Sequence, residues 1–176
     1  IGWDFDSRVT FERGNTTLPG PNQLGPFLYW MLRKRPALDI YLLKSNLRLL
    51  PAFDGLWFGL APVSLLNQIS SRRMHFAIDG FHPLGSVHHQ KIVVIDDSVA
   101  FCGGIDLTLD RWDTRAHEHV SRRRRTGGRG YGPRHDVGAA VDGAAARALG
   151  EQALTRWQTA TKQSLAPVEA NHSAWP

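Results

Sequence analysis

One cysteine in 176 residues rules out an internal disulfide, and it leaves Cys102 without the cysteine partners of a zinc site. Its place in Val99 to Cys102 makes it an expected buried strand residue. Long apolar runs are missing as well. The longest, Leu56 to Leu66, is broken by Gly59 and Pro62 and falls short of the ~20 residues of a membrane-spanning helix. Acidic residues are the minority, 16 against 21 Lys and Arg, and the resulting +5 charge favours anionic partners, with lipid headgroups and nucleic acid equally served. There is no internal repeat, and the length suits one domain with a real core. The chain opens on Ile1 rather than Met, inside an apparent strand, so upstream targeting sequence or further domains are compatible with it.

What is present alternates between strand and helix patterns. Ile1 to Val9 reads as a strand, and a Gly/Asn/Pro-rich loop follows from Gly14 to Pro26. Leu24, Phe27, Leu28, Met31 and Leu32 recur at helical spacing until Pro36, and Leu38 to Lys44 reads as a buried strand. Asn46 to Arg73 is irregular and aromatic, a helix with loops. Met74 to Asp79 reads as a short strand. His89 to Asp96 and Val99 to Cys102 form an expected hairpin turned by Asp96, Asp97 and Ser98. Trp112 to Tyr131 reads as a mobile basic loop and His135 to Val141 as a strand. Ala144 to Trp157 reads as a helix with its apolar side at Ala145, Leu149, Ala153 and Leu154. The expectation is an α/β domain over residues 1–160, with a linker-like tail over 161–176.

The segment His88 to Asp113, HHQKIVVIDDSVAFCGGIDLTLDRWD, carries the chemistry. In a regular strand His89 and Lys91 share a face, which places an imidazole beside a fixed cation, as phosphodiester chemistry needs. The same alternation turns Asp96 to the other face, as a hairpin-end carboxylate expected to fix the turn through hydrogen bonds. An attacking imidazole needs its second nitrogen held, and Asp106, Asp110, Asp113 and Glu118 are the downstream carboxylates available. At Gly103 and Gly104 a backbone without Cβ can approach a ligand closely.

The pattern His89-x-Lys91-x4-Asp96, followed by Gly103-Gly104-Ile105-Asp106, resembles the HKD motif of the phospholipase D superfamily. Asp106 to Thr114 and Tyr131-Gly-Pro-Arg134-His135-Asp136-Val137 resemble the first HKD half of bacterial and plant-type phospholipases D, and the likeness in pattern extends from Gly2 to Trp157. The resemblance implies a phospholipase D/nuclease-like α/β/α layered domain with a mixed central sheet. It implies a two-step reaction in which one motif histidine forms a phosphohistidine and a second motif's histidine protonates the leaving alcohol. Neither metal nor other cofactor is required. His89 would be a motif histidine, Lys91 its phosphate-binding lysine, Asp96 the structural aspartate and Asp113 the carboxylate that orients a histidine. Gly103, Gly104, Asp106, His88 and Arg134 are the residues expected around the substrate.

The chain holds no second H-x-K-x4-D. Either the other half lies on a longer chain, or two copies meet across a symmetric interface, as in single-motif nucleases of the superfamily. The plant-type details favour the first. The partners expected are therefore a phospholipid substrate, an anionic membrane surface and a second HKD half, with nucleic acid as the competitor. The setting expected is a soluble or peripheral-membrane domain, on the cytoplasmic side in bacteria. A cardiolipin-synthase-like transferase and a non-catalytic lipid-binding half-domain are the other readings. Arg122 to Arg125 read as a solvated charge run or an anion-binding patch, Arg33 to Arg35 as a helix C-terminal cap, and His82 and His88 as loop residues. Trp57 and Phe58 read as core or as membrane-interface residues, and His117 with His119 lacks a third metal ligand.

Overall fold

The structure, a computed structural model, describes residues 1–14, 16–46, 56–57 and 61–168. Leu24–Lys34 forms helix α1, whose Pro26 sits in the first turn, where an N–H has no intrahelical partner to lose. Arg35 turns extended ahead of Pro36, which ends the helix. Arg33 and Lys34 lie in the last turn, as the helix dipole favours. The free carbonyls at this end are taken by a more distant residue. The Arg73 guanidinium donates to Leu32 O at 2.6 Å, Arg35 O at 2.9 Å, Pro36 O at 3.0 Å and Leu38 O at 2.9 Å.

Strands β1 (Ile40–Ser45) and β4 (Met74–Asp79) pair in parallel over their whole length, from Ile40 opposite Met74 to Ser45 opposite Asp79. Between them lie the short antiparallel pair β2 (Leu56–Trp57) and β3 (Ala61–Pro62) and helix α2 (Val63–Ile69), which packs on β4. Of the aromatic run singled out in the sequence, Phe58 and Leu60 lie outside the described residues.

Strands β5 (Lys91–Ile95) and β6 (Val99–Gly103) form the expected hairpin, and β9 (Ala139–Asp142) adds to the far side of β6. Asp96 and Asp97 sit at φ of 48° and 49°, the left-handed pair that matches the twist of a tight hairpin. The turn is held by the main-chain O and the hydroxyl of its own residues: Ser98 Oγ donates to Asp96 O at 2.9 Å. Among the described residues the Asp96 carboxylate makes no hydrogen bond. The neighbouring Asp97 makes the tertiary tie instead, accepting the Val168 N–H at 3.0 Å.

Ile1 and Gly2 join the two sheets. Gly2 donates to Leu43 O and accepts from the Ser45 N–H, both at 3.0 Å, while Ile1 O accepts the Ile92 N–H at 3.0 Å. The result is a mixed parallel and antiparallel arrangement. The predicted strand over residues 1–9 is present only as isolated bridges, Gly2 to Lys44 and Phe5 to Leu107. Asp4 and Asp6 explain the interruption: their carboxylates bond the N–H groups of Phe5 and Arg8, which bends the local backbone out of a ladder.

Helix α3 (Gly143–Thr161) packs against β4, β5, β6 and β9. Its buried side runs through Ala146, Gly150 and Trp157, one residue out of phase with the predicted Ala145 and Leu149. Gly150 explains the shift, because a Cβ there would lie 2.1 Å from Asp97 Oδ1. Leu43, Ala77 and Trp157 form a core cluster, covered by Ile1, Ala160 and Leu165. Cys102 is half-buried in β6 rather than fully enclosed. The segment read as a mobile basic loop is built around a fully buried arginine, Arg124, and includes the hairpin β7 (Arg125–Thr126) and β8 (Arg129–Gly130). No helix among the described residues is long and apolar enough to cross a membrane.

Candidate functional site

Lys91 opens β5 opposite Gly103, and its side chain is buried. Its ammonium lies 3.1 Å from Asp106 Oδ2 and 3.4 Å from the main-chain O of His89. Asp106 follows the Gly103-Gly104 pair and is buried too, and its other oxygen accepts the N–H groups of Trp3 at 2.8 Å and Asp4 at 3.1 Å. One carboxylate thus fixes the motif lysine and the N-terminal segment together. Asp106, expected beside the substrate, is occupied by these internal bonds. Among the described residues the ammonium, with three N–H donors, has these two protein oxygens within reach.

His89 precedes the strand rather than lying in it, and its ring is exposed. It rests against the Trp3 indole, ring centres 5.6 Å apart at 56°. Strand alternation predicts His89 and Lys91 on one face, which requires His89 to lie within the strand. What links them is Lys91 reaching back to the His89 carbonyl. None of the four carboxylates foreseen as an orienting partner bonds the His89 ring among the described residues. Asp106 holds Lys91, Asp113 holds Arg124 and His117, Glu118 offers its main-chain O to Arg124, and Asp110 Oδ1 is buried with no hydrogen bond.

Gly104 is required by a protein group. Its N–H donates to Asp136 Oδ2 at 2.7 Å, and a Cβ there would lie 2.6 Å from Asp136 Oδ1. Gly103 is less confined, its nearest neighbours being 3.4 Å from a built Cβ. Asp136 was not among the predicted site residues, although the His135-Asp136 pair that carries it stood in the pattern. Arg134 donates its N–H to Asp113 Oδ2 at 2.8 Å and its Nε to Asp110 O at 3.2 Å.

Asp113 sits at the centre of a second cluster. Its Oδ1 accepts Arg124 Nη1 at 2.7 Å and the Thr114 N–H at 2.7 Å, and its Oδ2 meets His117 Nδ1 at 3.1 Å. Burial works against the charge of this carboxyl. The Arg124 guanidinium, the Arg134 N–H, His117 and the Thr114 N–H outweigh it and hold the group well below the usual carboxylate range. The far nitrogen of His117 lies 3.0 Å from His135 Nδ1. The histidine that Asp113 orients is therefore His117. Arg124 also donates to the main-chain O of Glu118, of His119 at 3.0 Å and of Tyr131 at 3.3 Å. Among the described residues no three His, Cys, Asp or Glu side chains converge on a metal position.

His88 meets Arg156 Nη2 at 2.7 Å through Nε2, and its N–H donates to Ser45 Oγ at 3.0 Å. Arg156 in turn grips the buried Asp79 carboxylate, Nε to Oδ2 at 2.7 Å and Nη2 to Oδ1 at 2.6 Å. These pairings join residues 68 and 77 positions apart, beyond what spacing along the chain can show.

No protein-family model matches the chain. Phospholipase D1 of Homo sapiens is 63% identical over 30 residues, 17% of this chain and 3% of that protein. Phospholipase D1 of Schizosaccharomyces pombe is 57% identical over 30 residues, 17% of this chain and 2% of that protein. Phospholipase D B of Dictyostelium discoideum is 29% identical over 105 residues, 45% of this chain and 9% of that protein. The chain spans only a small fraction of the length of these relatives, and the proteins it is similar to are phospholipases D.

Proposed function

We propose that this chain supplies one of two half-sites of a phospholipase D-type phosphodiesterase, with His89 as a motif histidine and Lys91 as the phosphate-binding cation. The observation that carries the reading is the buried Lys91 and Asp106 pair, whose ammonium bonds the main-chain O of the exposed His89. It fixes a cation two residues from an imidazole that a substrate can reach. The similarity to phospholipases D supports the same chemistry. In the proposed reaction a nitrogen of His89 bonds to phosphorus and the bond from phosphorus to the headgroup oxygen breaks. The leaving oxygen takes a proton from the histidine of the other half. Water, or a second alcohol, then attacks the phosphohistidine and releases phosphatidic acid or a new phosphatidyl ester. In this scheme Asp96 contributes its left-handed backbone to the hairpin turn, and Gly103 and Arg134 border the substrate. No cofactor is invoked.

The test is headgroup release from phosphatidylcholine vesicles by the longest natural chain that contains this segment, wild type against His89→Ala. Loss of the attacking group lowers turnover by on the order of 10⁴-fold or more. Undiminished release by the variant refutes the assignment. The solitary motif favours a second reading, a symmetric dimer acting on a phosphodiester across its two-fold axis. Metal-independent cleavage of DNA by a dimer of this chain would select it.

A further inference from the structure

Ser45 and Asp79 end the two parallel strands β1 and β4, stand opposite each other in register, and are both buried polar residues. Both are directed at the residue before His89. Ser45 Oγ accepts the His88 N–H at 3.0 Å. Asp79 acts through Arg156, whose guanidinium bonds the carboxylate through two nitrogens and places Nη2 at 2.7 Å from His88 Nε2. His88 Nε2 also lies 3.2 Å from the main-chain O of Phe81, so the ring is held between a donor and an acceptor at one nitrogen. The Arg156 side chain is 15% exposed and that of Asp79 3%, so the geometry is fixed by a largely enclosed ion pair.

We infer that Asp79, Arg156 and Ser45 act through His88 as positioning residues for His89, and that His88 is the clamp rather than a headgroup ligand. His89 lies in a non-strand segment, and no hydrogen bond to its ring is present among the described residues, so its placement depends on its neighbours. His88 is held at main chain and side chain on one side. Lys91 bonds the His89 carbonyl at 3.4 Å on the other. The inference rests on the proposed function for its catalytic meaning, but its structural content does not need turnover.

Two arms separate those contents. In the 176-residue chain, cross-relaxation between the His89 and Trp3 rings reports where His89 sits. The expected result is clear Trp3 to His89 contacts in the wild-type chain. Those contacts should be lost in His88→Ala and in Arg156→Gln, and kept in His88→Gln, whose amide oxygen can accept the Arg156 N–H. Intact contacts in folded His88→Ala overturn the inference. The two His88 variants decide it even where Arg156→Gln fails to fold. In the active longer protein, His88→Ala should lower kcat by about 30-fold with KM within about threefold, as a slightly misplaced reacting group does, and His88→Gln should restore it. A rise in KM with kcat unchanged would mark His88 as a substrate ligand and overturn the positioning role. Absence of phosphodiesterase activity in every form would refute the proposed function while the spectroscopic arm still decides the clamp.

Discussion

Removing the Asp106 carboxylate strands three partners in one step. Lys91 loses the counter-ion 3.1 Å away while its side chain stays buried, and the N–H groups of Trp3 and Asp4 lose their shared acceptor. Breaking a buried pair from one side costs about 3–5 kcal/mol, because the surviving charge is left in a poor solvent. Each orphaned N–H adds roughly 1 kcal/mol or more where water does not replace the carboxylate. Asp106→Ala is therefore expected to cost about 5–7 kcal/mol, a large share of the ~5–15 kcal/mol available to a domain. Asp106→Asn keeps an oxygen for the two N–H groups and loses only the charge, so about 3 kcal/mol is expected. Lys91→Met alone should cost a similar amount by leaving the carboxylate unpaired. The double variant Lys91→Met with Asp106→Asn should then recover most of the loss, since neither member of the pair is left charged without the other. Urea unfolding followed by the fluorescence of the six tryptophans measures all four proteins. An Asp106→Asn protein within about 1 kcal/mol of wild type, or strict additivity in the double variant, would refute the claim that this pair is a coupled, enclosed unit.

Gly150→Ala should lower the urea midpoint although alanine is the better helix former by about 1 kcal/mol. The added Cβ would meet Asp97 Oδ1 at 2.1 Å, and the shift needed to relieve it outweighs the propensity gain. Asp97→Ala in the same background should reverse the sign, and a stabilised single variant would show that the helix is free to move away. Asp113 makes stability fall in acid. Its folded-state value is depressed below the ordinary 3.8, so the contribution is complete above that value and is lost as pH falls toward the folded one. Denaturation midpoints measured between about pH 6 and 2 should therefore drop less steeply for Asp113→Asn than for wild type, and parallel curves would contradict the Arg124 and His117 assignment.

Elements set by local chemistry were legible before the fold was known. Pro36 marks the end of α1, and the Asp96-Asp97-Ser98 run between two β-branched segments marks a tight hairpin, because both signals act within a few residues. The strand Met74–Asp79 agrees with its predicted bounds for the same reason. What local pattern missed is set by tertiary pairing. Arg124 stands in a run of four arginines that composition assigns to solvent, yet it is fully buried because Asp113 and three main-chain carbonyls converge on it. Asp136 over Gly104, Arg73 on the end of α1 and Arg156 on Asp79 and His88 are all partners distant in sequence. At the candidate site, His89, Lys91 and the glycine pair were legible as residue types. The use of Asp106 as the lysine's counter-ion was not, since alternation along one strand carries no information about which carboxylate folds back onto it.

The same pairings change how the +5 charge should be read. Lys91, Arg124 and Arg156 are enclosed or largely enclosed cations, and each already faces a carboxylate: Asp106, Asp113 and Asp79. Their contributions to the long-range field largely cancel in pairs, so they act as directed donors rather than as a source of attraction. The unbalanced charge lies on exposed residues such as Arg122, Arg123 and Arg125, where salt screens it over about 8 Å at physiological ionic strength. Attraction to an anionic surface and stabilisation of a reacting phosphoryl group are thus separable in this chain. Added salt should weaken association with acidic vesicles, while the Lys91 contact, enclosed and short-ranged, should keep its strength once a phosphate is in place.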